Sequence, residues 1–248
     1  GETYKLNLAY TPTDRSLYYV QWSQGFRLGE PVGSPPAVCD LDGDGLIDGL
    51  GIAAQEQLNP DTLDSYEVGA KLASSDNRVN LRTAVFYNQW SEIPVTRTGD
   101  CGFVFLFNAG EAKTSGVELE GSAQLSSQWR LDFSAGYLDG KLTRDAPGLG
   151  NDGDRLPGIP KYNAALGLQY DFRYREHDGY LRGDLATVGG FYNNLQEEGE
   201  EIGDYTTLNL ASGIQLGQFD VQLFINNVTN SHTATWIDQR PEFPSAYR

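Results

Sequence analysis

The sequence predicts an all-β fold, namely an antiparallel, up-and-down transmembrane β-barrel. Three observations lead to this prediction. Apolar and polar residues alternate along almost the whole chain, the alternating segments are separated in turn by short and long connections, and aromatic residues gather near the segment ends. A transmembrane β-strand needs only about 9–11 residues with apolar side chains at alternate positions.

The alternation is clearest in residues 117–125, where odd positions are apolar or glycine and even positions are polar. Residues 131–137, 162–172 and 219–225 follow the same pattern. A helix would repeat near 3.6 residues, and no window of the sequence has that period. The sequence therefore predicts strands throughout.

Ten strands are predicted, and the fifth, at about 20 residues, would project beyond the membrane. They lie at residues 2–10, 16–24, 61–73, 78–95, 103–125, 129–142, 160–172, 179–190, 204–216 and 218–229. Short connections (11–15, 74–77, 126–128, 173–178 and 217) alternate with long ones (25–60, 96–102, 143–159, 191–203 and from 230 onward). Outer-membrane barrels have tight turns at one rim and long loops at the other, which this alternation predicts.

Composition and charge exclude several classes of protein. The 248 residues include 18 basic and 34 acidic side chains, for a net charge of −16, which argues against binding nucleic acid. The acidity fits a soluble, self-repelling protein or a surface that holds divalent cations. No stretch approaches the roughly 18 consecutive apolar residues of a membrane helix. Because methionine is absent, we expect the chain to be a processed or excised product.

Four motifs in order resemble those of TonB-dependent outer-membrane receptors. Residues 19–27 resemble the family's Y-x-x-x-S-x-G-F-R strand end, and residues 58–69 resemble L-x-P-E-x-x-x-x-Y-E-x-G, with Asp61 in place of the more usual Glu. Residues 108–120 are similar to N-A-G-x-A-x-x-x-G-V-E-x-E, and residues 226–230 to the N-L-x-N motif. Each motif is weak alone, but four in the family's order and spacing are specific.

The resemblance implies an outer-membrane protein of a Gram-negative bacterium that takes up a scarce solute, such as a ferric siderophore, with energy coupled through TonB. It implies a 22-stranded barrel with an N-terminal plug. Residues 1–248 would form strands twelve to twenty-one of that barrel, without the plug, the first barrel half and the last strand. The implied partners are outer-membrane lipid and lipopolysaccharide, TonB through the plug, and a small solute such as a metal chelate.

An acidic loop at residues 40–48 predicts a calcium site. Counted from Asp40, aspartates stand at positions 1, 3, 5 and 9 and glycine at position 6, as in most of an EF-hand-type loop. Gly51 stands at position 12, where an acid is expected, and neither flank has a helical pattern. The predicted ligands of a structural Ca²⁺ are Asp40, Asp42, Asp44, the Leu46 carbonyl and Asp48. The alternative is a flexible, glycine-rich acidic loop.

The two cysteines, Cys39 and Cys101, lie in neighbouring long connections and therefore at the same predicted rim. Outside the reducing cytosol they are predicted to form a disulfide that ties the two loops together. The alternative is a pair of free thiols.

Enzyme chemistry finds little support, so the protein is predicted not to be an enzyme. His177 and His232, the two histidines, fall at opposite predicted rims and cannot share a metal or a triad. Several aromatic residues of the long loops are candidates to stack on a solute, although rim packing is an alternative role for them: Phe103, Phe105, Phe107, Phe191, Tyr192 and Trp236. Two rival classes remain, a calcium-binding surface or adhesion domain and an outer-membrane enzyme or passive porin.

Overall fold

The computed structural model describes residues 2–108, 110–146, 150–193 and 201–235, and the backbone of 237–238 and 246–247. The strands are β1 (Lys5–Thr13), β2 (Ser16–Arg27), β3 (Leu46–Ile47), β4 (Ile52–Ala53), β5 (Asp61–Ala73), β6 (Val79–Ser91), β7 (Pro94–Thr98), β8 (Val104–Asn108), β9 (Glu111–Gln124), β10 (Trp129–Leu142), β11 (Tyr162–Tyr174), β12 (His177–Val188), β13 (Tyr205–Leu216), β14 (Phe219–Ile225), β15 (Ile237–Asp238) and β16 (Ala246–Tyr247).

Ten of these strands form one antiparallel sheet in the order β1-β2-β5-β6-β9-β10-β11-β12-β13-β14. Each pairs with its neighbours along the chain once the small hairpins β3–β4 and β7–β8 are set aside. The predicted all-β, up-and-down antiparallel sheet is confirmed. The helical content of the described residues is a 3-10 turn at Ala37–Cys39. No helix in that part of the chain has the length and apolar character needed to cross a bilayer.

Several predicted strand bounds are wrong. The first strand, predicted at 2–10, is Lys5–Thr13, and the last, predicted at 218–229, is Phe219–Ile225. Two long predicted strands end early because the chain turns out of the sheet. The strand predicted at 103–125 is divided into β8 and β9, with Gly110 between them at a φ of 82°. The strand predicted at 78–95 ends at Ser91, followed by Glu92 at a φ of 57°. Left-handed backbone cannot continue a β ladder, so the alternation of side chains overestimates both strands. The long connection between β6 and β9 therefore contains the β7–β8 hairpin.

The short connections are built from polar turn residues. In the turn after β5, the Ser74 hydroxyl donates a hydrogen bond to Asp76, and the Arg78 N–H donates to the same carboxylate. These bonds, chiefly the one from Ser74, hold the pKa of Asp76 below its usual value. Asn77 has a φ of 55° and Gly217 a φ of 67°, which are the left-handed conformations that tight hairpins require.

One face of the sheet is apolar along continuous rungs of paired residues. A single rung crosses seven strands and is apolar or aromatic at every position: Leu8, Val20, Val68, Val85, Val117, Tyr137 and Tyr162. These side chains are exposed, Leu8 by 70% and Val68 by 56%. An apolar surface of this extent is far larger than the patches that soluble monomers expose, and an outward-facing apolar band of this kind is typical of outer-membrane barrels.

The opposite face is a polar, concave wall. Arg182 bonds Asp132 at 3.0 Å and also bonds Asp184, while Tyr19 donates to Glu67 at 2.6 Å. Glycines on this wall lie under aromatic rings of the neighbouring strand, as Gly69 lies under Tyr19. A side chain there would clash with the ring, which explains why the wall combines small residues with large ones.

We expect the short turns and the long connections to lie on opposite sides of the outer membrane. Cysteine placed at Asp152, in the connection after β10, should react with an impermeant maleimide on whole cells. Cysteine placed at Ser75 should react only after the outer membrane is opened. Labelling in the reverse order would contradict the assignment of the rims.

Candidate ligand site at the long-loop rim

The long connections fold over the end of the polar wall on a small apolar cluster. Trp90, Ala112 and Leu142 are opposite one another on adjacent strands, and the last two are buried. Loop residues Ile93 and Ala146 complete the buried cluster. Because this rung lies on the inner face, the cluster holds the connections after β6 and β10 on the inner side of the sheet, at the end of the polar wall.

A buried carboxylate, that of Asp61, lies where the long connection 28–60 leaves the sheet and returns to it. Asp61, only 6% exposed, accepts hydrogen bonds from Arg27 Nε at 2.9 Å, Arg27 Nη2 at 2.8 Å and Trp90 Nε1 at 2.7 Å. The guanidinium carbon of Arg27 also lies 5.6 Å from the Trp90 ring centroid. Because Arg27 ends β2 and Asp61 begins β5, this cluster fixes where residues 28–60 leave the sheet and return to it.

Asn108, the last residue of β8, joins three segments through its side chain. Its Oδ1 accepts a hydrogen bond from the Asn59 N–H at 2.6 Å, and its Nδ2 donates to the Asn59 carbonyl at 3.1 Å and the Glu92 carbonyl at 2.7 Å. Its own N–H donates to Gln55 Oε1 at 2.9 Å. One side chain thus holds the end of the 28–60 loop against the start of the β7–β8 hairpin.

The predicted disulfide between Cys39 and Cys101 is present, with their Cα atoms 5.1 Å apart. Cys39 is fully buried, and its carbonyl accepts the Asp48 N–H at 2.8 Å. The Asp100 N–H donates to the Asp48 carbonyl at 3.2 Å, which continues the contact between loop and hairpin. The 28–60 loop and the β7–β8 hairpin are therefore joined at the disulfide, at Asn108 and at this backbone hydrogen bond.

The acidic loop brings three of its four aspartates together. Carboxylate oxygens of Asp40, Asp42 and Asp44 lie within 4.8 Å of one another. One oxygen of Asp40 is buried without a hydrogen-bond partner among the described residues. Asp48 is used differently, since its Oδ2 accepts the Leu41 N–H at 3.0 Å. Leu46 lies in β3, paired with Ala53. Oxygen ligands in this arrangement fit a hard cation such as Ca²⁺.

The aromatic candidates divide between two places. A groove of about 360 Å³ lies between the 28–60 loop and the β7–β8 hairpin, and the residues that line it include Val32, Pro35, Pro36, Phe103 and Phe105. Phe107 also borders this groove but is buried. Phe191 pairs with Ile202 in the connection after β12, and the Tyr192 carbonyl accepts the Gly158 N–H. Trp236 lies outside the described residues.

The sequence did not single out Asn108 or the Arg27–Asp61–Trp90 cluster as parts of this site. Asn108, Arg27 and Asp61 lie within the matched motif segments and Trp90 lies between two of them, but spacing alone gives no contact between residues 29 to 63 positions apart. Their roles depend on pairings between strands that only the folded sheet creates.

An apolar outer face, a polar inner wall and one rim of joined loops define an outer-membrane β-barrel of the receptor type. The family model described as TonB dependent receptor-like, beta-barrel matches residues 1–228. The chain belongs to this family. Its members are outer-membrane proteins of Gram-negative bacteria, so the predicted location is confirmed. They are transporters rather than enzymes, and they bind siderophores or metal chelates and interact with TonB.

Among curated relatives, the metal-pseudopaline receptor CntO of Pseudomonas aeruginosa is 30% identical over 162 residues, covering 63% of this chain and 22% of that protein. The pesticin receptor of Yersinia enterocolitica is 26% identical over 241 residues, covering 94% of this chain and 32% of that protein. Among solved structures, the ferric yersiniabactin uptake receptor FyuA from Yersinia pestis has a TM-score of 0.75 at 22% identity, covering 95% of this chain and 33% of that one. The chain thus spans a third or less of these relatives.

We expect Asn108→Ala to loosen the 28–60 loop at its C-terminal end. The Asn59 amide loses its acceptor, and one hydrogen bond contributes about 1 kcal/mol, so hydrogen exchange at Asn59 should accelerate roughly fivefold. Exchange measured by mass spectrometry on the peptide containing Asn59 tests this. Asn88→Ala is the matched control, because its side chain bonds Thr114 within the sheet. Unchanged exchange at Asn59 would contradict the role given to Asn108.

Proposed function

We propose that the protein is a receptor for TonB-dependent uptake of a scarce metal chelate, such as a ferric siderophore, across the outer membrane. The family match over residues 1–228 carries this proposal. The printed names of relatives support the solute class, since they include a metal-pseudopaline receptor and a ferric yersiniabactin receptor. The same match favours a receptor over the alternatives of an adhesion domain and a passive porin.

The proposed receptor includes more polypeptide than these residues. In the described sheet β1 and β14 are the edge strands, each with one neighbour. An open edge within a membrane leaves backbone N–H and C=O groups without partners, so further strands must pair there. We assign those strands, together with a plug that contacts TonB, to the remaining two thirds of a protein as long as its relatives. A 22-stranded barrel would give both edge strands, β1 and β14, a second hydrogen-bonded neighbour.

The proposed solute contacts are the loop aromatics. Phe103 and Phe105 line the groove between the two joined loops, where an apolar or planar part of a chelate can stack. Phe191, Tyr192 and Trp236 are further candidates from other long connections. No chemical step on the solute is proposed. His177 contacts the Gln215 carbonyl beside a short turn, and His232 contacts Asn230 in a long connection, so each has a local partner at a different rim.

Uptake of radioactive iron by whole cells tests this function. A deletion strain carrying the wild-type gene should accumulate ⁵⁵Fe from iron-loaded spent medium of the source bacterium only when TonB is present. Phe103→Ala/Phe105→Ala should bind the chelate roughly tenfold more weakly, because each aromatic contact contributes about 0.5–1.5 kcal/mol. Phe219→Ala, at the opposite rim, is the control and should behave as wild type. Uptake that persists without TonB would instead support a passive porin.

We also propose that the acidic loop binds a structural Ca²⁺. Three carboxylates that converge within 4.8 Å repel one another unless a cation or solvent screens them, and the unpartnered Asp40 oxygen supports a ligand role. Asp48 and the Leu46 carbonyl remain proposed ligands, although the Asp48 carboxylate also accepts a hydrogen bond from the Leu41 N–H. Because an acid is missing at position 12, the affinity should lie near about 10⁻⁴–10⁻³ M, where extracellular modules bind calcium.

Calorimetry should detect millimolar calcium binding by the wild-type protein and none by Asp42→Asn/Asp44→Asn. Removing two of the three converging carboxylates lowers both the charge and the number of oxygen ligands. Asp145→Asn/Asp152→Asn changes the net charge equally in another long connection and should leave the titration unchanged. If the two double variants titrate alike, the loop is acidic and flexible without being a calcium site.

A further inference from the structure

An arginine of the β7–β8 hairpin lacks a counter-ion. Arg97 lies in β7 and is half-buried. Among the described residues, no carboxylate comes within ion-pair distance of its guanidinium, and no oxygen accepts a hydrogen bond from it. The chain has 34 acidic side chains for 18 basic ones, so a guanidinium without an acidic partner is unexpected in this protein.

The other arginines that the structure describes at the long-loop rim each have a partner. Arg27 bonds Asp61 at 2.8 Å, and Arg144 bonds Glu111 at 3.2 Å. Arg155 donates a hydrogen bond to the Ile159 carbonyl. These three guanidinium groups are used by the fold, because each of them holds a loop or a strand end. Arg97 has no such structural use.

The position of Arg97 places its side chain beside an aromatic ring. Arg97 is directly opposite Phe105 on β8, and residues opposite each other in an antiparallel pair share a face. This face is turned toward the 28–60 loop. At Gly99 a Cβ atom would lie 3.1 Å from the Phe105 ring and 3.0 Å from Ile47 of that loop. Because Phe105 borders the groove between hairpin and loop, the unpaired guanidinium lies next to the proposed solute contacts.

A partly buried cation is costly unless an anion or hydrogen-bond acceptors compensate it. The planar guanidinium matches an oxyanion such as a carboxylate with two parallel hydrogen bonds, and it stacks on aromatic rings. A neutral or cationic solute would leave Arg97 without a partner, whereas an anionic group would supply one. The net charge of −16 repels anions in general, so a negatively charged solute gains most from a local cation.

We propose that Arg97 binds an oxyanion of the chelate that the receptor takes up, and that it selects chelates with a net negative charge over neutral and cationic ones. A planar part of the same solute then stacks on Phe105. This inference rests on the proposed uptake function and adds the charge of the solute to it. Arg97 is the specificity-determining residue, and Phe103 and Phe105 supply contact area without regard to charge.

Binding and uptake of ⁵⁵Fe by cells that produce the full-length receptor test this role. Iron-loaded spent medium of the source bacterium is divided on an anion-exchange resin into a retained, anionic fraction and an unretained fraction. Cells without TonB measure binding, and cells with TonB measure uptake. Arg97→Gln should bind the retained fraction roughly 10- to 100-fold more weakly, as the loss of a hydrogen bond to a charged group predicts.

Two further variants separate the charge of Arg97 from its shape and position. Arg97→Lys keeps the charge without the planar fork, so its affinity should lie between those of wild type and Arg97→Gln. Arg144→Gln is the matched control, because it removes an arginine that already pairs with Glu111 at the same rim, and it should behave as wild type. Raising NaCl from about 0.05 to 0.5 M should weaken binding by wild type and leave that of Arg97→Gln unchanged.

Equal binding of the retained fraction by Arg97→Gln and wild type would overturn this role. TonB-dependent uptake from the unretained fraction alone would overturn it as well, while leaving the transport function intact. If neither fraction gives TonB-dependent uptake, the transport function itself fails, and the inference fails with it. Each variant must reach wild-type abundance in isolated outer membranes, so that misfolding is not mistaken for weak binding.

Discussion

The hydrogen-bonded ladder that joins ten strands in one antiparallel sheet is the constraint on which the rest of the structure depends. Hydrocarbon offers no partner to a backbone N–H or C=O, so each strand must pair with a neighbour along its membrane-spanning length. Pairing also fixes which side chains stand opposite one another. A slip of one residue would exchange the apolar and polar faces, and the rung from Leu8 to Tyr162 excludes such a slip.

Stability at the long-loop rim has a different origin. Among the residues that the structure describes few are buried, and several of those belong to the loops. Polar side chains hold many of the loop segments together. Asp61 accepts hydrogen bonds from Arg27 and Trp90, and Asn108 makes hydrogen bonds to two loop segments. Removing a partner from a buried carboxylate costs more than an exposed ion pair contributes, so the hydrogen bonds of Arg27 and Trp90 to Asp61 matter more for the loop base than the ion pairs on the surface. The disulfide then limits how far the loop and the hairpin can separate.

The two faces of the sheet are different surfaces that the same strands carry. The long-loop rim holds the groove bordered by Phe103 and Phe105 and the acidic loop, whereas the outer face is apolar along the rung from Leu8 to Tyr162. Because successive side chains of a strand point to opposite faces, the sheet separates its apolar surface from its polar one without any additional element.

The sequence by itself determined the fold class, the number and order of the sheet strands, and the rim to which each connection belongs. It could do so because a period of two and the turn residues are local properties that each segment carries alone. The tertiary structure decided where β8 ends and β9 begins, because a left-handed glycine interrupts a pattern that side-chain alternation continues through. It also decided the roles of Asn108 and Asp61. Those roles arise from contacts between residues of different strands and loops, and no single segment of the sequence contains both partners of such a contact.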